Sequence, residues 1–374
     1  MFGIPLRIIL LVGLLMACSA TIQTGNNEAQ APAQKEIVPE SKTNPKNIIF
    51  MIGDGMGLSQ ISAALIANHN KLHLERCTHV GLMKTFAGDN LITDSAAGAT
   101  AFSTGKKTYN GAIGVDMDSV SIITILELAE KEGLATGLVA TSSITHATPA
   151  SFIAHQVNRY MYEEIALDFL MTDIDIFIGG GRKYFRFRED QRDLLSELKN
   201  KGYSIYNGIE VVAATDTNKQ AIFIADDHPK PVKLGRPETY LEDASLLAIN
   251  RLKREKKGYF LMIEGSQIDW GGHANDSQYI INEMIDFDRA IGKVLDHAAE
   301  DGNTLVVITA DHETGGYAIG GGSLENATVE SFFTSEHHTG TMVPVFSFGP
   351  GAENFTGIID NTDIFFKFKQ LLGL

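Results

Sequence analysis

The sequence predicts an α/β domain, with a mainly parallel central sheet and helices on both of its faces. Three observations predict it. Short apolar runs rich in Ile, Val and Phe end in glycine or polar residues, as strands buried on both faces do. Segments of helical period alternate with these runs. The chain has 374 residues, 44% hydrophobic and 21% charged, which suits a globular protein with a large core and argues against global disorder.

The elements follow in order. Residues 1–17 read as an export signal: Arg7 and the amino terminus precede the apolar run Ile8–Ala17. That run is too short to cross a bilayer, which takes about 20 apolar residues. Leu15-Met16-Ala17-Cys18 resembles a bacterial lipobox, which implies acylation of Cys18 and a lipid anchor. A plain signal cut between Ala17 and Ala20 is the alternative. Ser19 in place of Asp then points to the outer membrane, on the periplasmic side. Residues 18–46 are rich in Ala, Gln, Asn, Pro, Lys and Glu without periodicity and read as a flexible tether, so the folded domain is expected over 47–374. Once Cys18 is acylated, Cys77 is the one thiol left, so no intrachain disulfide is expected. Cys77 itself reads as a small buried apolar residue.

Asn47–Ile52 reads as a buried strand, closed by Gly53-Asp54-Gly55. Ser121–Glu132 reads as a helix, with apolar residues at 122, 125, 126 and 129 and Gly133 just past its end. Thr136–Ala140 and Ile176–Ile178 are the next strands. Residues 183–245 are irregular, and surface helices and an insertion are expected there. Gly258–Ile263 is a strand. Ser277–Ala299 carries Ile280, Met284, Phe287, Ile291, Val294 and Ala298 at alternating steps of four and three, the clearest amphipathic helix in the chain. Thr304–Thr309 and Val343–Phe348 are strands, and Thr362–Leu372 is a closing helix with Asn361 as its N-cap. There is no internal repeat.

Charge narrows the function. The formal net charge of −15 is a poor match to a nucleic-acid backbone, which needs clustered cations. An anionic substrate would need a local positive centre. The polar residues that could build one gather where strands end: Asp54, Ser142 to Thr148, Glu264 with Asp269, and Asp311 with His312. Open α/β sheets bind ligands beyond the carboxyl ends of their strands. Asp, Glu and His converging there make a ligand set for zinc or magnesium, although any one such Asp also reads as a cap or turn residue. In Asp94-Ser95-Ala96-Ala97-Gly98-Ala99-Thr100-Ala101, Ser95 stands where small residues start a helix. It reads either as a cap or as the start of an anion site. Gly98 with Gly105-Lys106-Lys107 lacks Walker spacing, and glycines 179–181 are no dinucleotide fingerprint.

Six blocks together resemble the alkaline phosphatase family. They are Asp54-Gly55-Met56-Gly57; the Asp94–Ala101 block; Ala147-Thr148-Pro149-Ala150 with Arg159; Glu264-Gly265 with Asp269 and His273; Asp311-His312-Glu313-Thr314-Gly315-Gly316; and His338-Thr339-Gly340. They occur in the family's order and span the chain from about residue 47 to its end. The resemblance implies an alkaline-phosphatase-like sheet and hydrolysis of phosphate monoesters through a phosphoserine. It implies Ser95 as nucleophile, with Arg159 clamping the phosphate. One zinc would sit on Asp269, His273 and His338, with His337 as the rival to His338. A second would sit on Asp54, Asp311 and His312. A third ion, magnesium, would be shared by Asp54, Thr148 and Glu264. Asp94 would orient Arg159 or cap the Ser95 helix.

Two positions depart from the best-known bacterial pattern. His146 stands where that pattern has Asp, and Trp270 where it has Lys. Both resemble some marine or cold-adapted members. His146 makes zinc the alternative to magnesium at the third site. Trp270 either covers the leaving group or simply packs. The resemblance also implies a homodimer. The competing functions are a phosphodiesterase of the same superfamily, a cofactor-independent phosphoglycerate mutase, which export argues against, and a non-catalytic binding lipoprotein.

Overall fold

A computed structural model describes residues 44–212 and 218–374. The expected signal peptide, Cys18 and the expected tether up to residue 43 lie outside the described residues.

Fourteen strands occur among the described residues: β1 Asn47–Gly53, β2 His79–Lys84, β3 Ala135–Ser143, β4 Ile176–Gly180, β5 Tyr203–Asn207, β6 Lys219–Phe223, β7 Tyr259–Gly265, β8 Thr304–Thr309, β9 Glu313–Thr314, β10 Ala318–Ser323, β11 Thr328–Phe332, β12 His338–Thr339, β13 Val343–Phe348 and β14 Gly357–Asp360. Ten of them form one sheet in the order β14-β2-β13-β8-β1-β7-β3-β4-β6-β5. From β8 to β5 every pairing is parallel. β13 runs antiparallel to β8 and β2, while β14 pairs parallel with β2. The mainly parallel expectation holds, with one reversed strand. β10 and β11 make a small hairpin, and β9 pairs with β12.

β1 lies at the centre because Ile48–Ile52 is an unbroken apolar run, and the whole strand is buried. Successive side chains alternate between the two faces of the sheet. On one face Phe50 meets Phe102 (ring centroids 5.4 Å apart) and Phe368 (5.1 Å), so the Ser95–Thr104 helix and the closing Asp363–Leu372 helix lie there. On the other, Gly53 and Gly265 leave room for Phe287 of the Ser277–Asp301 helix, whose ring is about 3 Å from where their Cβ atoms would stand. Helices therefore cover both faces, as expected.

Four expectations change. The helix expected from Ser121 begins at Ile125, because Thr124 and Glu127 form a reciprocal capping box: Glu127 N donates to Thr124 Oγ1 (3.1 Å) and Thr124 N to Glu127 Oε2 (2.8 Å). Asn361 does not cap the last helix: the N-cap position is Thr362, and Asn361 Oδ1 accepts no helix amide, while its Nδ2 donates to the Thr85 carbonyl. Residues 183–245 hold the expected helices, such as Leu194–Asn200, but also β5 and β6, which extend the main sheet. The edge strands β2 and β14 were also unread. Cys77 is buried and unpaired.

Candidate active site

The parallel strands bring Asp54, Ser142 to Thr148, Glu264 and Asp311 to one edge of the sheet. The turn after β1 is tight. Gly55 has φ +76°, and a Cβ there would stand 2.6 Å from the Asp269 backbone. Only glycine lets Asp54 and Asp269 approach in this way. Gly55 N donates to Asp311 Oδ1 at 3.2 Å, drawing the third carboxylate in.

Three groups of donor atoms result, each with its atoms within 4.8 Å of one another: Asp269, His273 and His338; Asp54, Asp311 and His312; and Asp54, His146 and Glu264. Asp54 is common to two of them. Thr148, at the start of a short helix after His146, is buried nearby in sequence, and its Oγ1 has no hydrogen-bond partner. His338 belongs to the first group and His337 to none.

The proton inventory shows that these groups fit cations. His273 Nδ1 faces the Glu336 carbonyl at 2.6 Å, and His338 Nδ1 faces the Thr93 carbonyl at 2.9 Å. A carbonyl only accepts, so both Nδ1 atoms donate and both Nε2 atoms offer lone pairs. Those Nε2 atoms stand 3.1 Å apart, each 3.4 Å from Asp269 Oδ1. Three acceptors converging without a donor between them suit a metal ion. In the second group, Thr314 Oγ1 donates to Asp269 Oδ1 at 2.5 Å. It must then accept from His312 Nδ1, 3.2 Å away, which turns the Nε2 lone pair toward Asp311 Oδ2 (3.3 Å) and Asp54 Oδ1 (3.4 Å).

Both Asp54 oxygens, Asp311 Oδ2, Glu264 Oε1 and His146 Nδ1 are buried without a hydrogen-bond partner. Such orphans are costly in a protein interior unless something else compensates them. Their titration reflects the same crowding. Burial, then the charges of Asp311 and Asp269, raise Asp54 well above the usual carboxylate range. Burial pushes Glu264 up to about 8 despite the Ser266 hydroxyl that bonds it, and burial with the charge of Asp269 pushes Asp311 up to about 6. Burial would also raise Asp269, but a proton taken up on His338 Nε2 in place of a cation outweighs it, through its hydrogen bond and charge, and holds that carboxyl well below its ordinary value. Burial, then the neighbouring His338, keep His312 neutral.

Ser95 opens the helix that runs to Thr104, and its Oγ lies 3.3 Å from His312 Nε2. The His312 and His338 rings stack at 3.5 Å, so Ser95 stands beside the joint between the first two groups. Asp94 makes two contacts, one through each carboxylate oxygen. Its Oδ1 accepts from Ala97 N at 2.9 Å as a helix cap, and its Oδ2 accepts from Arg159 Nη1 at 2.9 Å. Arg159 Nη2 lies 3.5 Å from His146 Nε2, so the guanidinium spans the space between the Ser95 helix and the third group.

Trp270 packs edge-on against His146 (6.0 Å between centroids) and against His228 (4.9 Å), and the two imidazoles meet at 5.4 Å. Sequence reasoning missed His228 in this cluster. Its Nδ1 accepts from Ser143 N at 3.1 Å. The signal that could have found it is positional: residue 228 follows a strand end, as Asp54 and Asp311 do, but β6 itself was not read.

The family model described as "Alkaline phosphatase" matches residues 45–331. Alkaline phosphatase 3 of Bacillus subtilis is 36% identical, over 85% of this chain and 87% of its own. The chain belongs to the alkaline phosphatase family. The structure of alkaline phosphatase from the Antarctic bacterium TAB5 superposes with a TM-score of 0.85 at 43% identity, covering 89% of this chain and 99% of that one. A variant of that TAB5 protein, with a histidine changed to glutamate and magnesium bound in its M3 site, matches with a TM-score of 0.84 at 43% identity over the same shares. As an alkaline phosphatase the chain is a metal-binding hydrolase of phosphate monoesters.

Proposed function

We propose that Ser95 is the nucleophile and that the reaction passes through a phosphoserine. The proximity of Ser95 Oγ to His312 Nε2, at a helix start between two metal groups, carries this reading. Asp269, His273 and His338 would hold one zinc, and Asp54, Asp311 and His312 a second. Asp54, Thr148 and Glu264 would hold magnesium, with His146 beside them making zinc the alternative. The magnesium-bearing glutamate variant of the TAB5 protein supports the view that the residue at such a histidine bears on the ion chosen there.

Bound divalent ions there would lower the pKa of a hydroxyl and stabilise a departing alkoxide. The chain's own residues do the rest. Ser95 Oγ attacks phosphorus in line, forming the O–P bond as the alcohol leaves. Asp94 holds Arg159 by Nη1, so the Nη2 edge is presented to the phosphoryl oxygens. The Ala97 amide is taken by the Asp94 side chain and the Gly98 amide by the Asp94 carbonyl, which leaves the amides of Ser95 and Ala96 to face the anion. Water then splits the phosphoserine and releases phosphate. Trp270, braced by His146 and His228, forms a wall of this space.

Turnover of p-nitrophenyl phosphate against the bis ester, before and after chelation with zinc add-back, tests the reading. Monoester activity that vanishes and returns with zinc is expected. Diester activity exceeding it would overturn the choice of substrate.

Export with an acyl anchor on Cys18 is part of this proposal. Among the described residues, no helix is long and apolar enough to cross a membrane. Labelled palmitate should enter the chain in a bacterial host, and failure to do so would refute the anchor. A homodimer is proposed from the family resemblance alone, and a monomeric mass by sedimentation would exclude it.

A further inference from the structure

Glu313 lies in none of the metal groups, yet its carboxylate is buried and receives three neutral donors. Gln60 Nε2 (2.7 Å) and Tyr317 N (3.1 Å) donate to Oε1, and Thr339 Oγ1 donates to Oε2. These donors come from three segments. Gln60 is on the Leu58–Ala67 helix, directly after the Asp54 turn, and also donates to the Thr314 carbonyl at 2.9 Å. Tyr317 ends the loop that begins at Asp311. Thr339 follows His338. The fit is close: a Cβ on Gly57 would stand 2.5 Å from Glu313 Cγ. This accounts for the second glycine of Asp54-Gly55-Met56-Gly57.

The geometry points to Glu313, with Gln60 and Thr339, as a positioning clamp that holds His338 in place relative to His312. β9 and β12 pair over only two residues, Glu313 opposite Thr339 and Thr314 opposite His338. Neighbours along a strand face opposite sides. The Glu313–Thr339 bond therefore pins one side of this short ladder, and the other side presents Thr314 and His338 to Asp269. A slip of one residue would turn His338 away from the site. Two backbone pairs alone specify register weakly, and the side-chain bond adds what the ladder lacks. Gln60 couples the same carboxylate to the segment that carries Asp54, so one buried group ties parts of the first two metal groups together.

The inference rests on the proposed role of His338, and the test separates the two. Zinc content and zinc release to a chelator are measured for the full chain, for His338→Ala, and for Thr339→Val and Thr339→Ser. His338→Ala should lose one zinc. Thr339→Val, which keeps the shape but loses the hydroxyl, should weaken that same zinc by about 10- to 100-fold and leave the other unchanged, as loss of an outer hydrogen bond to a metal site typically does. Thr339→Ser should restore wild-type release. Excess zinc should recover the activity of Thr339→Val. Unchanged release from Thr339→Val, or equal weakening of every ion, overturns the clamp. Full metal content in His338→Ala overturns the assignment beneath it.

Discussion

At the residue scale, Asp94 carries two jobs through two oxygens, and they can be separated. Asp94→Ala removes the helix cap, costing about 1 kcal/mol of stability. It also removes the Arg159 partner, a charge-assisted bond worth about 1.5–3 kcal/mol, so kcat/KM should fall roughly 10- to 100-fold. Asp94→Asn keeps a cap acceptor but loses the charge. It should keep the melting temperature while kcat/KM still falls. Equal loss of stability in both variants would mean that the cap does not use this side chain. The residues legible in the sequence at this scale are those whose type already names a chemistry: Ser95, Arg159, and the Asp, Glu and His of the three groups. His228, Glu313 and Gln60 were illegible because they act on other side chains. A buried Gln or Glu has no spacing rule, and Gln60 and Glu313 are 253 positions apart.

At the element scale, His155 shows what a cap can anchor. Its Nδ1 faces the Gly114 carbonyl at 2.8 Å and its Nε2 the Glu127 carboxylate at 3.0 Å. Both partners only accept, so both nitrogens donate and the ring is an imidazolium. Burial lowers the pKa of His155, but the Glu127 hydrogen bond and the Gly114 carbonyl outweigh it, and the pKa is raised above 6.5. Burial likewise opposes Glu127, yet His155 and the Thr124 amide hold it below 4.5. The linkage follows from these directions. The His155 contribution is complete below its unfolded pKa and is lost as pH rises through its folded value. The Glu127 contribution is complete above its unfolded pKa and is lost as pH falls through its folded value. The pair is therefore whole between about 4.5 and 6.5. Denaturation of the metal-saturated protein should show a stability component that fades above that window and is missing in Glu127→Gln. Identical pH profiles for the two proteins would contradict the pairing.

The same elements show why some boundaries were misread. Thr124-x-x-Glu127 is a capping box, but helical spacing at Ile122 extended the helix over it. Ile122 instead bonds the Gly114 carbonyl through its amide. β5 has the sequence YSIYN and is mostly half-buried, so neither alternation nor an apolar run marks it. β1, β7 and β8 were legible because burial on both faces demands an unbroken apolar run.

At the scale of the molecule, the fold class was legible from strand and helix alternation, and the site from the strand ends. The extent of the sheet was not, because its outer strands carry polar residues. The net charge of −15 also changes meaning. Asp54, Glu264, Asp269 and Asp311 are fully or almost fully buried at one sheet edge, where they can be compensated only locally. Chelation should therefore destabilise the whole domain. Zinc at 100 times its dissociation constant should return about 2.7 kcal/mol for each occupied site. A melting temperature indifferent to EDTA and zinc would show that these carboxylates need no cation.

The central claim is that Ser95 carries the phosphoryl group. The direct measurement is to incubate the zinc-loaded enzyme with a ³²P-labelled monoester, quench in acid and map the label. The account predicts one labelled peptide, containing Ser95, that disappears in Ser95→Ala together with nearly all turnover. Label on another residue, or near-normal turnover in Ser95→Ala, would contradict it.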